Sequence, residues 1–547
     1  MAFPPPPQQV PPPPGSGPSR SGWSTRTIAL VVVGAMLAGI VVVGLAGFVT
    51  YRLVSEDGGS GGDATPSVTP PPSAGPEAPE PEVPSGLEKF YDQELDWSDC
   101  GDNECARLTV PLDYAEPGGR TIQVAVLRVR AGKPDERVGQ LVVNPGGPGG
   151  SGVQYAAGGA AVFGATLARY FDLVGFDPRG VGQSTPLKCA STEQTDEFLA
   201  SDPDPDTPAE VRRNDRLTRA YGEGCLQRSG DLARHVSTVE VARDVDVLRA
   251  ALGERQLDWF GASYGTTIGA TYAELFPANV RRMVLDGAVA QNISEEQAGV
   301  DQARGFQTAL DAYLRDCLDK GCFLGEDLQQ AQGALRDFLA DLDARPLPSG
   351  QEGRPLTEGL AVYGIFLPLY VQSYWPLLTE ALRRAIQDGD GSQLLQLADQ
   401  YTQRTSGGYQ GNQTEALYAV NCADSSDSIP LADVPARFGE FEDVAPVFAR
   451  IFAYGLATCD SWPIKPTEPR PDIEGTGAAP ILVVGTTRDP ATPYRWAQEL
   501  AKELDSGVLL SRDGDGHTGF QQGNACVDKA IEAYLVAGKV PRDGTSC

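Results

Sequence analysis

The most constraining feature of this chain is a serine that lies between two glycines, where a strand-like segment meets a helix-like one. The apolar run Leu257–Phe260 leads into Gly261-Ala-Ser263-Tyr-Gly265, and a stretch with helical character follows. In this arrangement a strand turns sharply into a helix and presents the serine at its tip. Glycines flank the serine because the turn is too tight for larger side chains. The segment therefore predicts a nucleophile elbow with Ser263 as the nucleophile.

Two further residues complete such a site, a base that removes the serine proton and an acid that orients the base. The chain has two histidines. His517 lies in a glycine-rich loop after the strand-like run Val508–Leu510 and is the predicted base, whereas His235 precedes a helix and is interpreted as a capping-region or surface residue. Enzymes built on this elbow carry the acid between the serine and the histidine in sequence. Asp489, which follows the strand-like run Pro480–Val484, is the predicted acid.

Backbone N–H groups are expected to stabilise the oxyanion that forms when a serine attacks a carbonyl. Tyr264 follows the nucleophile, and its N–H is one predicted donor. The second donor is expected from the glycine loop Asn144–Gly152 (NPGGPGGSG), where missing side chains let the backbone approach a substrate. This loop does not predict a phosphate site, because no Gly-Lys-Ser/Thr or Gly-x-Gly-x-x-Gly pattern closes it.

Several short motifs occur in an order that points to a known group of enzymes. They are Asn144–Gly149 (NPGGPG), Asp177–Ser184 (DPRGVGQS), Gly261–Gly265 (GASYG), Arg488–Pro493 (RDPATP) and Gly516–Gly519 (GHTG). Together they resemble the exported tripeptidyl aminopeptidase and proline iminopeptidase group of α/β-hydrolases, and the resemblance covers residues 89–547. The early glycine loop reads Asn-Pro-Gly-Gly-Pro-Gly where proline iminopeptidases show His-Gly-Gly-Pro-Gly, which favours the tripeptidyl branch.

The resemblance implies a role for each site residue: Ser263 as nucleophile, Asp489 as acid, His517 as base, and Gly147 and Tyr264 as oxyanion donors. An aminopeptidase must also hold the free ammonium of its substrate, which requires a carboxylate that is buried or on the lid. The segment Asn421-Cys-Ala-Asp424 resembles a motif near the lid of this group. Asp424 and Glu296 are therefore the candidate amine-binding residues, and the alternative for both is a solvated carboxylate at a helix end.

Apolar, β-branched runs alternate with helix-like stretches after residue 89, which predicts the α/β class, with a mostly parallel sheet flanked by helices. The predicted strands are 121–129, 140–144, 171–176, 257–260, 282–286, 480–484 and 508–510, and the predicted helices include 239–252, 296–318, 328–342 and 375–386. Because the strand signal fades over residues 291–474, this stretch is predicted to be an inserted helical lid. It divides an α/β-hydrolase core into residues 89–290 and a second, TAP-like part, residues 475–547.

The first 88 residues do not have the composition of a globular domain. Residues 1–26 are rich in proline and are predicted to be a cytoplasmic tail, and residues 51–88 form a Pro/Gly/Ser-rich linker. Between them, residues 27–50 contain an uncharged run of about 22 residues, which is long enough to cross a bilayer as one transmembrane helix. Arg20 and Arg26 precede this run, which favours a cytoplasmic N-terminus and an extracytoplasmic catalytic domain. A cleaved signal peptide, and with it a secreted protein, is the alternative.

All ten cysteines follow the predicted anchor, at positions 100, 105, 189, 225, 317, 322, 422, 459, 526 and 547. An even number on one side of a membrane favours disulfides in an oxidising compartment over free thiols. Sequence alone does not fix the connectivity, but nearest-neighbour pairing (100–105, 189–225, 317–322, 422–459 and 526–547) gives short loops. Because the chain has no Cys-x-x-Cys pair and only two histidines, no metal or other cofactor is predicted.

The net charge of −29 argues against a nucleic-acid partner, which would require a basic face. The predicted function is an extracytoplasmic serine aminopeptidase that releases short peptides, of the tripeptidyl type, or single residues from free N-termini through an acyl-serine intermediate. A carboxylesterase or lipase of the same fold is the alternative, because the same residues can attack an ester carbonyl. A non-catalytic binding protein is the third hypothesis. The residues predict neither the natural substrate nor the oligomeric state.

Overall fold

The computed structural model describes Pro81, residues 83–425 and residues 427–547 of the chain. The predicted cytoplasmic tail, the predicted anchor at residues 27–50 and most of the predicted linker lie outside this part. Within the described residues, no helix combines the length and the apolar character that crossing a membrane requires.

A ten-stranded sheet forms the centre of the described residues. Its strands are β1 (Ser98–Cys100), β2 (Asn103–Pro111), β3 (Thr121–Val129), β4 (Gly139–Asn144), β5 (Phe171–Phe176), β6 (Leu257–Ala262), β7 (Val280–Asp286), β10 (Ile481–Arg488), β11 (Gly507–Asp515) and β12 (Thr545–Ser546). They lie in the order β1-β2-β3-β5-β4-β6-β7-β10-β11-β12. The pairs from β1 to β5 are antiparallel, and the pairs from β5 to β12 are parallel. The carboxyl ends of β4, β6, β7, β10 and β11 therefore meet at one edge of the sheet.

The central strands β4, β5 and β6 are buried along their whole length. Successive side chains of a strand point to opposite faces of the sheet. Accordingly, Val142 and Trp259 belong to one apolar cluster, whereas Val143 and Phe260 belong to another. A parallel sheet that is covered on both faces favours continuous apolar runs over alternating ones, which is why these strands were visible in the sequence.

Helices surround the sheet and fill the segment between β7 and β10. In chain order they are α1 (Glu88–Tyr91), α2 (Gly152–Ala157), α3 (Gly159–Tyr170), α4 (Thr192–Leu199), α5 (Pro208–Ser229), α6 (Thr238–Ala251), α7 (Tyr264–Leu275), α8 (Glu295–Asp319), α9 (Leu328–Ala344), α10 (Glu358–Tyr370), α11 (Trp375–Asp388), α12 (Ser392–Thr402), α13 (Gln413–Asp424), α14 (Phe438–Glu442), α15 (Ala449–Gly455), α16 (Thr458–Ser461), α17 (Tyr494–Glu503) and α18 (Ala525–Ala537). Between residues 291 and 474, no described residue joins the ten-stranded sheet. The short strands β8 (Arg404–Thr405) and β9 (Gly408–Tyr409) pair only with each other.

The observed strands differ from the sequence prediction mainly at their ends. Two strands, Thr121–Val129 and Phe171–Phe176, have the predicted limits. β10 and β11 are longer than predicted, because each continues through polar residues as it reaches the carboxyl edge. β2, which lies second from one edge of the sheet, was missed: its first three residues, Asn103–Cys105, are only half-buried, so they carry no clear apolar pattern.

Five disulfides link the pairs Cys100–Cys105, Cys189–Cys225, Cys317–Cys322, Cys422–Cys459 and Cys526–Cys547. No cysteine is left as a free thiol, and all ten lie in the described part of the chain. The predicted disulfides, with the nearest-neighbour pairing, are confirmed. The pair Cys422–Cys459 joins the end of α13 to α16, so it ties two lid helices together.

Arg179, in the DPRGVGQS motif, is completely buried and cross-links three segments. Its Nε and Nη2 atoms donate to the two carboxylate oxygens of Asp244 at 2.8 and 2.7 Å. Its Nη1 atom lies 3.2 Å from Glu240 Oε1. The same guanidinium donates to the carbonyl oxygens of Pro111 and Leu112. Since α6 carries both carboxylates, this one side chain fixes α6 against the end of β2.

We expect Arg179→Met to lower the free energy of unfolding by about 3–5 kcal/mol, because it leaves two buried carboxylates without their cation. Arg120→Met is the matched control, since the ion pair of Arg120 with Asp231 is exposed. That control should change the free energy of unfolding by less than about 1 kcal/mol. Urea unfolding of both variants measures the difference, and equal losses would contradict the assignment of Arg179 as the cross-link.

Candidate active site

Ser263 occupies a sharp turn between β6 and α7. Its backbone has φ 57° and ψ −127°, in a region that residues with a side chain rarely adopt. The turn is held from both sides, because Ser263 N donates to Asp286 O at 2.8 Å and Thr266 Oγ1 donates to Ser263 O at 2.6 Å. A Cβ atom on Gly261 would lie 2.2 Å from Gly265 O, so the flanking glycines are required by contact between backbones. The local strain at the serine persists because the surrounding structure over-determines it.

Asp489 and His517 follow the neighbouring strands β10 and β11 and meet at the carboxyl edge. His517 Nδ1 lies 2.8 Å from Asp489 Oδ1 and 2.9 Å from Oδ2, and both side chains are buried. The carboxylate also accepts the backbone N–H groups of Ala491, Thr492 and Thr518 at 3.0, 2.9 and 3.0 Å. The acid is therefore fixed by main-chain donors, and it in turn fixes the plane of the histidine ring.

The electrostatics of this pair suit a base that works near neutral pH. Burial alone would raise the pKa of Asp489, but the His517 ring and the backbone N–H groups outweigh burial and hold that pKa below its ordinary value. Burial lowers the pKa of His517, although the Asp489 carboxylate opposes this. A lowered histidine pKa keeps the ring neutral at pH 7, which is the form that can accept a proton from a hydroxyl group.

Asp286, at the end of β7, connects the elbow to the histidine loop. Its carbonyl accepts the N–H of Ser263, and its carboxylate accepts the N–H groups of Gly519 and Phe520 at 2.7 and 2.9 Å. A Cβ atom on the next residue, Gly287, would lie 3.3 Å from His517 Cε1. The structure therefore brings Ser263 and His517 to the same strand end. Burial raises the pKa of Asp286 to about 6, although the two N–H groups oppose this rise.

Asp286 was not singled out in the sequence, although it closes the predicted strand 282–286. Other residues near the predicted site are occupied elsewhere. Arg488 pairs with both Asp513 and Asp515, which precede His517 in its loop. The second histidine, His235, hydrogen-bonds through Nδ1 to Glu240 at 2.9 Å, close to the start of α6.

The glycine loop 144–152 packs against the elbow. A Cβ atom on Gly146 would lie 2.7 Å from Tyr264 N and 3.0 Å from Ser263 Cβ, so only glycine permits this approach. Asn144 shapes the turn, because its Oδ1 atom accepts the N–H of Gly146 at 2.9 Å. The N–H groups of Gly147 and Tyr264 are the two predicted oxyanion donors. The structure therefore brings the loop that contains Gly147 beside the N–H of Tyr264.

Asp177 anchors the far end of the same loop. One carboxylate oxygen accepts the hydroxyl of Ser151 at 2.5 Å and the N–H of Val153 at 3.1 Å, and the other accepts the N–H of Gln183 at 2.8 Å. The DPRGVGQS motif thus has two structural tasks. Asp177 holds the glycine loop, and Arg179 holds α6.

Two helices of the predicted lid contact the site directly. The carbonyl of Tyr370, the last residue of α10, accepts the backbone N–H of His517 at 3.0 Å, and the two rings meet edge to face at 5.2 Å between centroids. At the start of α13, Gln413 packs on the glycine loop so closely that a Cβ atom on Gly149 would lie 2.7 Å from Gln413 O. The lid therefore rests on both the histidine and the glycine loop.

The structure separates the two predicted amine-binding residues. Asp424, at the end of α13, accepts hydrogen bonds from the N–H and hydroxyl of Thr238 at 2.8 and 2.5 Å, and the Thr238 hydroxyl lies 2.6 Å from the hydroxyl of Tyr264. Burial raises the pKa of Asp424 to about 6, although Thr238 opposes this rise. Glu296, on α8, instead pairs with Arg437 at 3.1 Å. Asp424 is thus linked to the residue after the nucleophile, whereas no contact of this kind connects Glu296 to the elbow within the described residues.

Glu415, which sequence reasoning missed, lies two residues from the contact between α13 and the glycine loop. No side chain in the described part of the chain pairs with its carboxylate. Burial raises the pKa of Glu415 to about 7, and only its own backbone N–H opposes this rise. Glu415 is a candidate site residue only because no described side chain pairs with its carboxylate in the folded protein. The sequence does not show this property.

These elements define a serine hydrolase of the α/β-hydrolase fold, since Ser263, Asp489 and His517 follow the parallel strands β6, β10 and β11 at one sheet edge. Residues 445–547 match the family described as TAP-like protein, a match that begins inside the predicted lid. Serine protease Hip1 of Mycobacterium tuberculosis is 37% identical over 487 residues, which cover 83% of this chain and 91% of that protein.

Two further relatives match the same share of this chain. Carboxylesterase B of Mycobacterium tuberculosis is 36% identical over 464 residues, covering 83% of this chain and 88% of that protein. Tripeptidyl aminopeptidase of Streptomyces lividans is 33% identical over 473 residues, covering 83% and 86%. The chain belongs to the α/β-hydrolase group of serine peptidases with a TAP-like C-terminal domain.

Two aspartates at this edge should respond differently to replacement by asparagine. Asp489→Asn should lower kcat by roughly 10⁴-fold, because the ring of His517 loses the acid that sets its tautomer. Asp286→Asn removes one acceptor for a backbone N–H and should lower kcat by about ten- to hundredfold. Steady-state kinetics on one substrate tests both, with circular dichroism to show that each variant folds. The reverse order of effects would make Asp286 the acid.

Proposed function

We propose that the protein is a membrane-anchored, extracytoplasmic serine aminopeptidase that releases short peptides, of the tripeptidyl type, or single residues from free N-termini. The observation that carries this proposal is the position of α13. It rests on the glycine loop at one end, is linked to Tyr264 at the other, and carries the carboxylates of Glu415 and Asp424. The relative named tripeptidyl aminopeptidase supports the same substrate class.

In the proposed reaction, Ser263 Oγ attacks the carbonyl carbon of the scissile peptide bond while Nε2 of His517 takes the hydroxyl proton. The backbone N–H groups of Gly147 and Tyr264 stabilise the resulting oxyanion. When the carbon–nitrogen bond breaks, His517 returns the proton to the departing amine and an acyl-Ser263 ester remains. Water then attacks this ester, with His517 again as base, and releases the N-terminal fragment.

The free ammonium of the substrate would be held by a carboxylate of the lid. Glu415 is the first candidate, because its negative charge has no side-chain partner in the described residues. Asp424 is the second, and an ammonium would compete there with the two hydrogen bonds from Thr238. Glu296 is the third, and its carboxylate already pairs with Arg437. A bound cation would favour the ionised form of whichever carboxylate receives it.

The proposed location rests on one feature of the sequence and one of the structure. The uncharged run within residues 27–50 has the length of one transmembrane helix, and the five disulfides suit an oxidising compartment outside the cytoplasm. The membrane is therefore one proposed partner of the protein. The other is the peptide substrate, which follows from the proposed activity.

An esterase of the same group is the second candidate, and the relative named carboxylesterase B favours it. An ester substrate has no ammonium to bind, so an esterase would have no use for the lid carboxylates. The two functions therefore differ in their dependence on a free amine.

The first experiment compares the wild type and Ser263→Ala on a free-amine tripeptide anilide, a free-amine single-residue anilide, the N-acetylated tripeptide anilide and a short-chain acyl ester. We expect turnover of the free-amine peptides only, and its loss by roughly 10⁴-fold or more in the variant. Preference for the tripeptide or the single residue identifies the length released. Turnover of the ester alone would assign an esterase, and unchanged activity of the variant would remove Ser263 from the mechanism.

The second experiment measures kcat/KM for the free-amine and N-acetylated tripeptide anilides in Glu415→Gln, Asp424→Asn and Glu296→Gln. Loss of the carboxylate that binds the ammonium should reduce the preference for the free amine by about ten- to hundredfold. We expect the largest change at Glu415 and the smallest at Glu296. Glu442→Gln, an exposed lid carboxylate, is the control. An unchanged preference in all three variants would place the amine site elsewhere.

A further inference from the structure

A second group of carboxylates lies at the opposite end of α10 from the histidine. Asp202 and Asp204 belong to the loop between α4 and α5, with the sequence Ser201-Asp-Pro-Asp-Pro-Asp206, and Glu358 is the first residue of α10. The helix places Glu358 about 18 Å from Tyr370, which contacts His517. One carboxylate oxygen of each of the three residues lies within 4.8 Å of the others.

The buried member of this group has an unused oxygen. Glu358 is 4% exposed, and its Oε2 atom has no hydrogen-bond partner among the described residues. A buried carboxylate oxygen without a partner costs free energy, and two like charges beside it increase that cost. The Oε2 atom of Glu358 therefore lacks a hydrogen-bond donor among the described residues.

Arg450 is the cation that acts on this group, through Asp204. Its Nη2 atom donates to the carbonyl of Pro205 at 3.1 Å, and its guanidinium lies 5.0 Å from the centre of the Phe438 ring. One guanidinium compensates one charge, and Asp343 adds a further negative charge nearby. When all three carboxylates are ionised, a net negative charge therefore remains at the cluster.

We propose that Asp202, Asp204 and Glu358 bind a Ca²⁺ ion that joins the start of α10 to the loop 201–206. Ca²⁺ takes carboxylate and carbonyl oxygens at about 2.4 Å, so two of its ligands are at most about 4.8 Å apart. Mg²⁺ requires distances of about 2.1 Å in octahedral geometry, which is a tighter arrangement. Oxygen is the only ligand type that the three residues offer, and it is the type that Ca²⁺ prefers.

Two main-chain carbonyl groups lie close to the first turn of α10. A Cβ atom on Gly359 would lie 2.3 Å from the carbonyl oxygen of Ser201 and 2.9 Å from that of Leu199. The first turn of α10 therefore lies directly on the carbonyl groups that precede Asp202. Carbonyl groups of this loop and water molecules would supply the rest of the six to eight oxygens that Ca²⁺ takes.

A shared proton is the rival explanation for the same geometry. Burial and the neighbouring carboxylates raise the pKa of Glu358 to about 9 in the absence of a cation, so Glu358 could donate a proton to Asp204. The two explanations differ in their response to Ca²⁺. A shared proton makes the protein indifferent to the ion, and a binding site makes its stability depend on it.

The test is calorimetric titration of the purified full chain, freed of metals with a chelator, with CaCl₂, followed by thermal unfolding with and without 10 mM Ca²⁺. We expect one site with a Kd of about 10⁻⁴–10⁻³ M, as in extracellular calcium modules, and a rise in Tm of about 3 °C. MgCl₂ should give a smaller rise. Glu358→Gln and Asp204→Asn should each abolish both signals.

Asp337→Asn, an exposed carboxylate on α9, is the matched control and should keep the full response. Absence of binding heat and of a Tm change in the wild type would overturn the proposal. A higher Tm of Glu358→Gln without Ca²⁺, with no response of the wild type, would establish the shared proton. Equal loss in the control would show that the ion binds the acidic surface at large. Should Glu358→Gln fail to fold, the wild-type titration and Asp204→Asn still decide.

Discussion

Contact between backbones at the elbow is the constraint on which the rest of the site depends. Gly261 and Gly265 touch across the turn, and Gly146 approaches Tyr264 N from the neighbouring loop. None of these contacts tolerates a side chain, so the position of the nucleophile and that of the oxyanion loop are set together. The hydrogen bond from Ser263 N to Asp286 O then fixes the strained turn to β7. The reacting groups are thus placed by main-chain packing more than by their own side chains.

Asp286 extends this control to the histidine. Its carbonyl oxygen and its two carboxylate oxygens belong to one residue at one strand end, yet they reach the elbow on one side and the loop after His517 on the other. Any shift of β7 along the sheet would therefore move the nucleophile and the base together. Their relative geometry is preserved by this shared support, which is what a reaction sensitive to small displacements requires.

Sequence reasoning succeeded where a physical constraint restricts residue type locally. The glycines around Ser263, the continuous apolar strands and the even, one-sided set of cysteines are constraints of this kind. It failed where a role arises from tertiary placement. Asp286 and Glu415 are ordinary acidic residues until packing gives one of them two backbone donors and leaves the other without a side-chain partner. β2 was missed because it is partly exposed near the edge of the sheet, which dilutes its apolar pattern.

The hydrogen bond between the carbonyl of Tyr370 and the N–H of His517 makes the insertion a part of the catalytic framework. A lid taken from another protein would have to place a main-chain carbonyl at the position of the Tyr370 carbonyl, whatever side chain that residue carries. Chimeras are therefore best joined beyond residue 370, so that α10 stays with its own core while the helices that follow it are replaced.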